Sequence, residues 1–182
     1  MKTAPLKPGF LIASPQMRDP YFEKTVVLVC QYDDDGALGV VVNREGPVSI
    51  GAVTHEVNIA APPDADAMTW WGGPVGAGTC FVLWQGQASG AEGWNITEGL
   101  AVSQSLERLE QLVQLGTNFH ITIGYSGWSA AQLDAEIESG AWLYVEADPK
   151  IIFETPIEQR YDRALLLLGL TASMVWMQPV DE

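Results

Sequence analysis

The stretch TVVLVCQYDDDGALGVVVN, residues 25–43, contains two apolar segments rich in β-branched residues, 25–32 and 37–43. They are joined by Asp33-Asp34-Asp35-Gly36, and Asp and Gly accept the positive φ angles of a tight turn. Both segments are almost continuously apolar rather than alternating, which is typical of strands buried on both faces. The stretch therefore predicts a β-hairpin near the middle of a sheet.

Shorter strands and capped helices surround this hairpin. The other predicted strands are residues 9–13, 68–71, 79–84, 94–97, 100–102, 119–125 and 142–146. Predicted helices are residues 48–57 with Ser49 as a cap, a helix after Ser103 or Ser105, Ser129 to Gly140, and Thr155 to Gly169 with Pro156 at its first position. The elements do not alternate as βαβ units. We predict a single α+β domain over residues 1–182, with flexible ends at 1–8 and 178–182.

The charge is strongly acidic. Asp and Glu number 23 against nine Lys and Arg, a formal net charge of −14. Neither Lys nor Arg occurs between Arg44 and Arg108, or between Arg108 and Lys150. Binding to a nucleic-acid backbone requires several cations on one face, because counterion release supplies most of the affinity. Direct nucleic-acid binding and association with an anionic membrane are therefore disfavoured.

The two cysteines indicate the cellular compartment. Cys30 and Cys80 each lie in an apolar strand segment and lack CxxC spacing, which is typical of buried free thiols in a reducing environment. A single disulfide between them stays open as an alternative. Residues 1–8 have no apolar run of signal-peptide length, and the longest apolar runs are too short to span a membrane. We predict a cytoplasmic protein.

The run Gly72-Gly73-Pro74-Val75-Gly76-Ala77-Gly78 has two interpretations. Successive backbone N–H groups could bind an anion. However, the run lacks the Lys-Ser/Thr ending of a phosphate-binding loop, and Pro74 has no N–H to donate. A strand-to-strand turn is favoured.

The segment Gly124-Tyr125-Ser126-Gly127-Trp128 ends a predicted strand before a capped helix, which is the setting of a nucleophile elbow. Gly127 follows Ser126 directly, so the G-x-S-x-G spacing is missing. The alternative is a turn permitted by its glycines, with Tyr125 and Trp128 packing around it. We favour the turn.

His55 and His120 are the two residues whose ordinary pKa suits base catalysis or metal binding near neutral pH. Neither has a His, Cys or carboxylate partner at metal-ligand spacing. The sequence favours packing roles and predicts no metal and no cofactor.

Asn43-Arg44 follows the end of a buried strand. An Arg at that position can clamp a ligand carboxylate or phosphate. It can also pair with one of the 23 carboxylates or hold a neighbouring loop. The structural role is favoured, but Arg44 is the best polar candidate for a ligand site.

Together these residues resemble the AlgH/YqgE family. The resemblance rests on short motifs in the family's order: Gly9 to Pro15, Asp19 to Phe22, Thr25 to Cys30, Gly39 to Arg44, Gly72 to Val75, Phe81 to Leu83, Gly124 to Trp128, Gln132-Leu133, Trp142-Leu143, Ile152-Phe153 and the segment from Tyr161 to Gly169. It implies a bacterial cytoplasmic protein with a bifurcated sheet or pseudo-barrel flanked by helices. The family is often labelled a transcriptional regulator, without an established mechanism, catalytic residue or cofactor.

Four positions depart from the family pattern. Thr79 and Cys80 stand where the family commonly has Arg-Gly, Trp84 where it has His, and Ser126 where it has Ala. Ser126 is therefore not a family nucleophile, and a shared polar site would lack groups at Thr79 and Trp84.

The leading hypothesis is a non-enzymatic regulatory or protein-interaction domain that acts on transcription indirectly, through an unknown protein partner. The alternative is a small-ligand or enzymatic site where strand ends meet. Its candidate residues are Asn43, Arg44, Gly72, Gly73, Pro74, Tyr125, Gly127 and Trp128. A direct DNA-binding regulator ranks last, because no predicted helix has a basic face.

Overall fold

The computed structural model describes residues 7–171, which contain ten strands and five α-helices. The strands are β1 Phe10–Ala13, β2 Val26–Asp33, β3 Gly36–Val41, β4 Glu45–Ser49, β5 Met68–Trp71, β6 Val75–Trp84, β7 Gly93–Thr97, β8 Leu100–Ser103, β9 Phe119–Trp128 and β10 Trp142–Val145. The helices are α1 Ile50–Glu56, α2 Leu106–Leu115, α3 Ala130–Glu138, α4 Pro149–Phe153 and α5 Arg160–Leu167. The predicted α+β class is confirmed. The predicted flexible ends lie outside the described residues, except for residues 7 and 8.

The strands form one open sheet that branches at β9. The main path is β10-β1-β2-β3-β9-β6-β8-β7, with antiparallel neighbours throughout. A side branch consists of β4 and β5, and β5 runs parallel to β9. Since β6 pairs along one edge of β9, β5 and β3 share the other edge. β5 pairs there with Thr122 and Ile123, and β3 pairs with Ser126, Gly127 and Trp128. This is the predicted bifurcated sheet, and it does not close into a barrel.

The hairpin predicted from residues 25–43 lies inside this sheet. β2 and β3 pair in antiparallel register up to Asp33 and Gly36, with β1 and β9 on their outer sides. Val26, Val27, Leu28, Val40 and Val41 are fully buried. Continuous burial on both faces is the physical reason for the continuous apolar sequence.

Two hydrophobic cores lie against the sheet. The larger one contains β1, β2 and β3 together with buried side chains from α3, α4 and α5. The smaller one contains side chains from β6, the first half of β9, α1 and α2. Cys30 belongs to the larger core, whereas Cys80 is half-buried beside the smaller one, and both thiols are free. The expected burial therefore holds fully only for Cys30.

The prediction of one helix beginning at Thr155 is wrong. The chain first forms α4, then a 3-10 turn at Ile157–Gln159, and α5 begins only at Arg160. Thr155 Oγ1 donates to the carbonyl oxygen of Lys150 at 3.1 Å, so it closes the end of α4 instead of capping α5. The missed cap of α4 is Asp148, whose side chain accepts from the Lys150 N–H at 3.0 Å.

Several other elements match or extend the predictions. Ser49, Ser105 and Ser129 cap α1, α2 and α3 through their side-chain oxygens. β4 was not predicted, and β6 begins at Val75 instead of residue 79. Across residues 7–171, α2 is the longest helix at ten residues, and none is long and apolar enough to cross a bilayer.

Candidate functional site

Arg44 holds the loop between β1 and β2 in place. Its Nη1 donates to the carbonyl oxygen of Tyr21, and its Nη2 donates to that of Glu23 at 2.7 Å. The guanidinium carbon lies 5.3 Å from the centre of the Trp71 ring, within cation–π range. Partial burial lowers the pKa of Arg44, an effect that the nearby carboxylate of Glu23 opposes. Arg44 therefore joins this loop to the branch of the sheet that contains β5.

Asn43 fixes the other end of the same loop. Its Oδ1 accepts from the Val26 N–H at 2.8 Å, and its Nδ2 donates to the carbonyl oxygen of Lys24 at 2.8 Å. Lys24 has a φ of 55°, so the loop turns sharply just before β2 begins. Asn43 and Arg44 together determine where Tyr21 lies.

Tyr21 and Trp71 form a stacked aromatic pair on the surface. Their ring centroids are 6.2 Å apart with an interplanar angle of 13°, and Tyr21 is 55% exposed. The pair borders a groove of about 350 Å³. We call it the aromatic groove, and its lining residues are Tyr21, Pro47, Trp71, Gly73, Pro74, Ala77 and Ile123. All of these side chains are uncharged, and four of them are aromatic or proline: Tyr21, Trp71, Pro47 and Pro74.

The segment from Gly72 to Pro74 crosses over β9. It joins β5 to β6, which pair with opposite edges of β9, so this connection between strands spans β9 and does not link neighbours in the sheet. The Gly72 N–H donates to the carbonyl oxygen of Ile123 at 2.8 Å. A Cβ on Gly73 would lie 2.1 Å from the carbonyl oxygen of Tyr125, which shows how closely the two backbones pass.

Ser126 stabilises this crossing. Its side chain is fully buried, and its Oγ donates to the carbonyl oxygen of Gly72 at 3.2 Å. The same carbonyl accepts from the Val41 N–H at 2.8 Å. A hydroxyl committed to a backbone carbonyl and removed from solvent has a structural role here.

Six of the eight predicted site residues are outside the groove lining, and three of these six, Tyr125, Gly127 and Trp128, lie in β9. Trp128 is 7% exposed and packs edge-on against Trp142 in the larger core. Tyr125 packs edge-on against Phe81, and Gly127 pairs with Leu38 in the β3–β9 ladder. Gly73 and Pro74 therefore line the groove, and Arg44 packs against Trp71. Asn43 and Gly72 form hydrogen bonds with backbone groups of β2 and β9, respectively.

Sequence reasoning missed the two aromatic residues that define the groove. Tyr21 lies in the segment Asp19-Pro20-Tyr21-Phe22, which predicted only a turn, although a Tyr within a turn is a signal for an exposed ring. Trp71 ends β5, and its partial exposure follows from the position of β5 in the side branch of the sheet. No local pattern indicates that these residues meet.

His120 is part of a stack of side chains on the inner face of the sheet. Its ring lies 4.1 Å from that of Trp70 and 5.9 Å from that of Phe153. The guanidinium carbon of Arg160 lies 4.2 Å from the centre of the Trp70 ring. Burial, together with the positive charge of Arg160, lowers the pKa of His120 to about 4. His120 is therefore neutral at physiological pH. His55 lies elsewhere, exposed near the end of α1.

We expect His120 to make folding stability depend on pH. Its pKa of about 4 in the folded state is below the ordinary value of 6.5, so between these values the unfolded state binds more protons. Stability should fall by up to about 3 kcal/mol as the pH drops from 6.5 to 4, and this loss should be absent in His120→Gln. Urea unfolding of both proteins at pH 7, 5.5 and 4.5 measures the difference. Parallel pH profiles would contradict the prediction.

The described residues contain no group of three or more His, Cys, Asp or Glu side chains placed to hold a metal ion. The features of the site are instead a stacked aromatic pair, two prolines and a glycine crossing. The fold and the site together define a small α+β protein with a branched sheet and an uncharged surface groove.

Comparison with known proteins identifies the family. The AlgH-like family matches residues 10–173, and the chain belongs to that family. A UPF0301 protein of Ralstonia nicotianae is 39% identical over 170 residues, covering 91% of this chain and 90% of its own. A UPF0301 protein of Pseudoalteromonas translucida is 34% identical over 175 residues, covering 93% and 95%. The resemblance predicted from the motifs is confirmed.

Two solved structures have the same fold. The solution structure of the AlgH protein from Pseudomonas aeruginosa matches with a TM-score of 0.76 at 34% identity, over 100% of both chains. A crystal structure of a protein from Corynebacterium diphtheriae matches with a TM-score of 0.76 at 20% identity, over 96% of this chain and 94% of that one. At that lower identity the likeness concerns the fold alone.

Proposed function

We propose that the protein is a non-enzymatic interaction domain that binds an extended, proline-rich segment of a partner protein in the aromatic groove. The observation that carries this proposal is the stack of Tyr21 on Trp71, more than half exposed at Tyr21 and bordered by Pro47 and Pro74. Grooves lined by aromatic rings bind polyproline II segments, which are already extended and lose little entropy on binding.

The environment of the polar candidates supports binding over catalysis. Arg44 donates to carbonyl oxygens of the loop between β1 and β2, so its guanidinium holds the loop that carries Tyr21. Ser126 is buried and hydrogen-bonded to the backbone, and His120 is stacked between aromatic rings. A nucleophile and its base must lie within hydrogen-bond reach of each other, and neither of these two side chains has such a partner among its contacts described above.

A role in transcription would be indirect, through the bound partner. The net charge of −14 opposes binding to a DNA backbone. The free thiols of Cys30 and Cys80 and the bacterial origin of the relatives support a cytoplasmic location. The proposed role is thus that of an adaptor whose specificity comes from the peptide that fits the aromatic groove.

The test is titration of the purified protein with fluorescent proline-rich peptides, followed by anisotropy. We expect Tyr21→Ala to weaken binding at least about tenfold, or 1.4 kcal/mol, because it removes one ring of the stack. Since Tyr21 is 55% exposed, its replacement should leave the fold intact, which circular dichroism would check.

Two controls make this test specific. Val48→Ala removes an exposed apolar side chain from β4 that is not in the groove lining, so it should bind peptide like the wild type. A peptide of equal length with alanine in place of proline should bind more weakly. Equal binding by Tyr21→Ala and the wild type would refute the site. Salt-sensitive, micromolar binding to duplex DNA would refute the indirect role.

A further inference from the structure

A second groove lies between α1 and α2, and it shares no lining residue with the aromatic groove. We call it the α1–α2 groove. It has a volume of about 200 Å³, and its apolar lining includes Val53, Val57, Cys80, Leu106, Leu109 and Ile121. The side chain of Leu106 is 57% exposed at its rim. These residues belong to or adjoin the smaller core, so the groove is an open extension of that core.

The size and lining of the groove suit the side chains of a protein partner. Sites that bury a drug-sized molecule usually measure about 300–1,000 Å³, so this groove is small for such a ligand. It suits a few apolar anchor residues, as in the central pocket of a protein interface. Burial raises the pKa of Cys80, which keeps the thiol neutral and the groove wall apolar.

The charge around the groove defines its partner further. Residues 45–149 contain thirteen Asp and Glu but a single cation, Arg108. Arg108 is already bound to Glu92 at 2.7 Å and lies 5.1 Å from the centre of the Trp84 ring. Exposed carboxylates lie on both bordering helices: Glu56 on α1, and Glu107 and Glu110 on α2. A second copy of this acidic chain, or an anionic lipid surface, would be repelled.

We propose that the α1–α2 groove binds an amphipathic helix of a partner protein, with apolar residues in the groove and Lys or Arg residues beside the carboxylates of α1 and α2. Two bordering helices on a sheet floor form the kind of groove that holds a helix by residues at i, i+3, i+4 and i+7. Opposite charges on the rim add attraction and steer association. This site is separate from the aromatic groove and does not depend on it.

The probe is a fluorescent helical peptide with leucines at i, i+3, i+4 and i+7 and lysines flanking them. We expect binding that weakens as salt rises, because the flanking charges are screened. Leu106→Glu should weaken binding at least about tenfold, since it places a charge at the apolar rim. Leu115→Glu adds the same charge to the same helix at a residue 76% exposed and outside the groove lining, and should bind normally.

Two further peptides complete the experiment. A scrambled peptide of identical composition should bind at least about tenfold more weakly, which separates helix docking from attraction by charge alone. A peptide with the same leucines and glutamate flanks should also bind weakly. Equal effects of Leu106→Glu and Leu115→Glu would overturn the proposal, and so would equal binding of the scrambled peptide. Concentration-dependent self-association that Leu106→Glu abolishes would assign the groove to a second copy instead. Tyr21→Ala should leave this binding unchanged, so the two sites can fail independently.

Discussion

Gly73→Ala is expected to destabilise the protein by about 4 kcal/mol or more, enough to leave much of it unfolded at 37 °C. The added Cβ would lie 2.1 Å from the carbonyl oxygen of Tyr125 and 2.2 Å from its carbonyl carbon. Both are backbone atoms of β9, so no flexible side chain can move aside. The φ of 154° at Gly73 is also a conformation that residues with a Cβ rarely adopt.

The matched control is Gly78→Ala in β6, the strand that follows the crossing. A Cβ at Gly78 would meet nothing within 4 Å, and this part of β6 is exposed. We expect the free energy of unfolding of Gly78→Ala to differ from the wild-type value by no more than about 0.5 kcal/mol. Urea unfolding followed by tryptophan fluorescence would measure both variants. If the free energy of unfolding of Gly73→Ala were within about 1 kcal/mol of the wild-type value, the crossing segment and β9 could move apart at little cost.

Arg160→Met is expected to lower the free energy of unfolding by about 3 kcal/mol or more. Arg160 is 5% exposed and donates to three carbonyl oxygens, those of Thr155 at 3.0 Å, Ile152 at 2.8 Å, and Val42. Methionine fills much of the same space but leaves these acceptors without a donor, and a buried unpaired acceptor costs about 1–3 kcal/mol. Burial lowers the pKa of Arg160 to about 10, so the side chain stays charged at neutral pH.

Arg163→Met is the control for the loss of a positive charge from α5. Arg163 is exposed on the same helix, and its replacement should change stability by no more than about 0.5 kcal/mol. Arg160→Lys should not restore stability, because an ammonium group cannot reproduce the planar set of donors. Equal stabilities of the Arg160→Met and Arg163→Met proteins, measured by urea unfolding, would show that the three carbonyl contacts contribute little.

Local patterns in the sequence predict those parts of the fold that local physics determines. The hairpin at residues 25–43 follows from apolar continuity and a turn of three Asp and a Gly, and Ser105 and Ser129 cap helices as their spacing predicts. β4 was missed because Glu45-Gly46-Pro47-Val48-Ser49 has no apolar alternation. It becomes a strand by pairing with β5, a contact that its own residues do not indicate.

The candidate site was predictable only in part. Arg44 was identified because it follows a buried strand, but its acceptors are carbonyls more than twenty residues earlier. The Tyr21–Trp71 stack joins residues fifty positions apart through the branch of the sheet. Arg160 lies within the predicted helix from Thr155 to Gly169, yet it supports the end of β3 through Val42. Long-range contacts of this kind have no local signature.

The position of β9 has a consequence for the order of events during synthesis. β9 pairs with β3, β5 and β6, all of which precede it in the chain, and β10 pairs with β1. Roughly 90 residues separate the end of β3 from the end of β9. At about 5–20 residues per second, their translation takes roughly 5–18 s. Through that interval three strands leave the ribosome without their common neighbour. Until β9 emerges, the nascent chain therefore exposes strand edges that are paired in the folded protein.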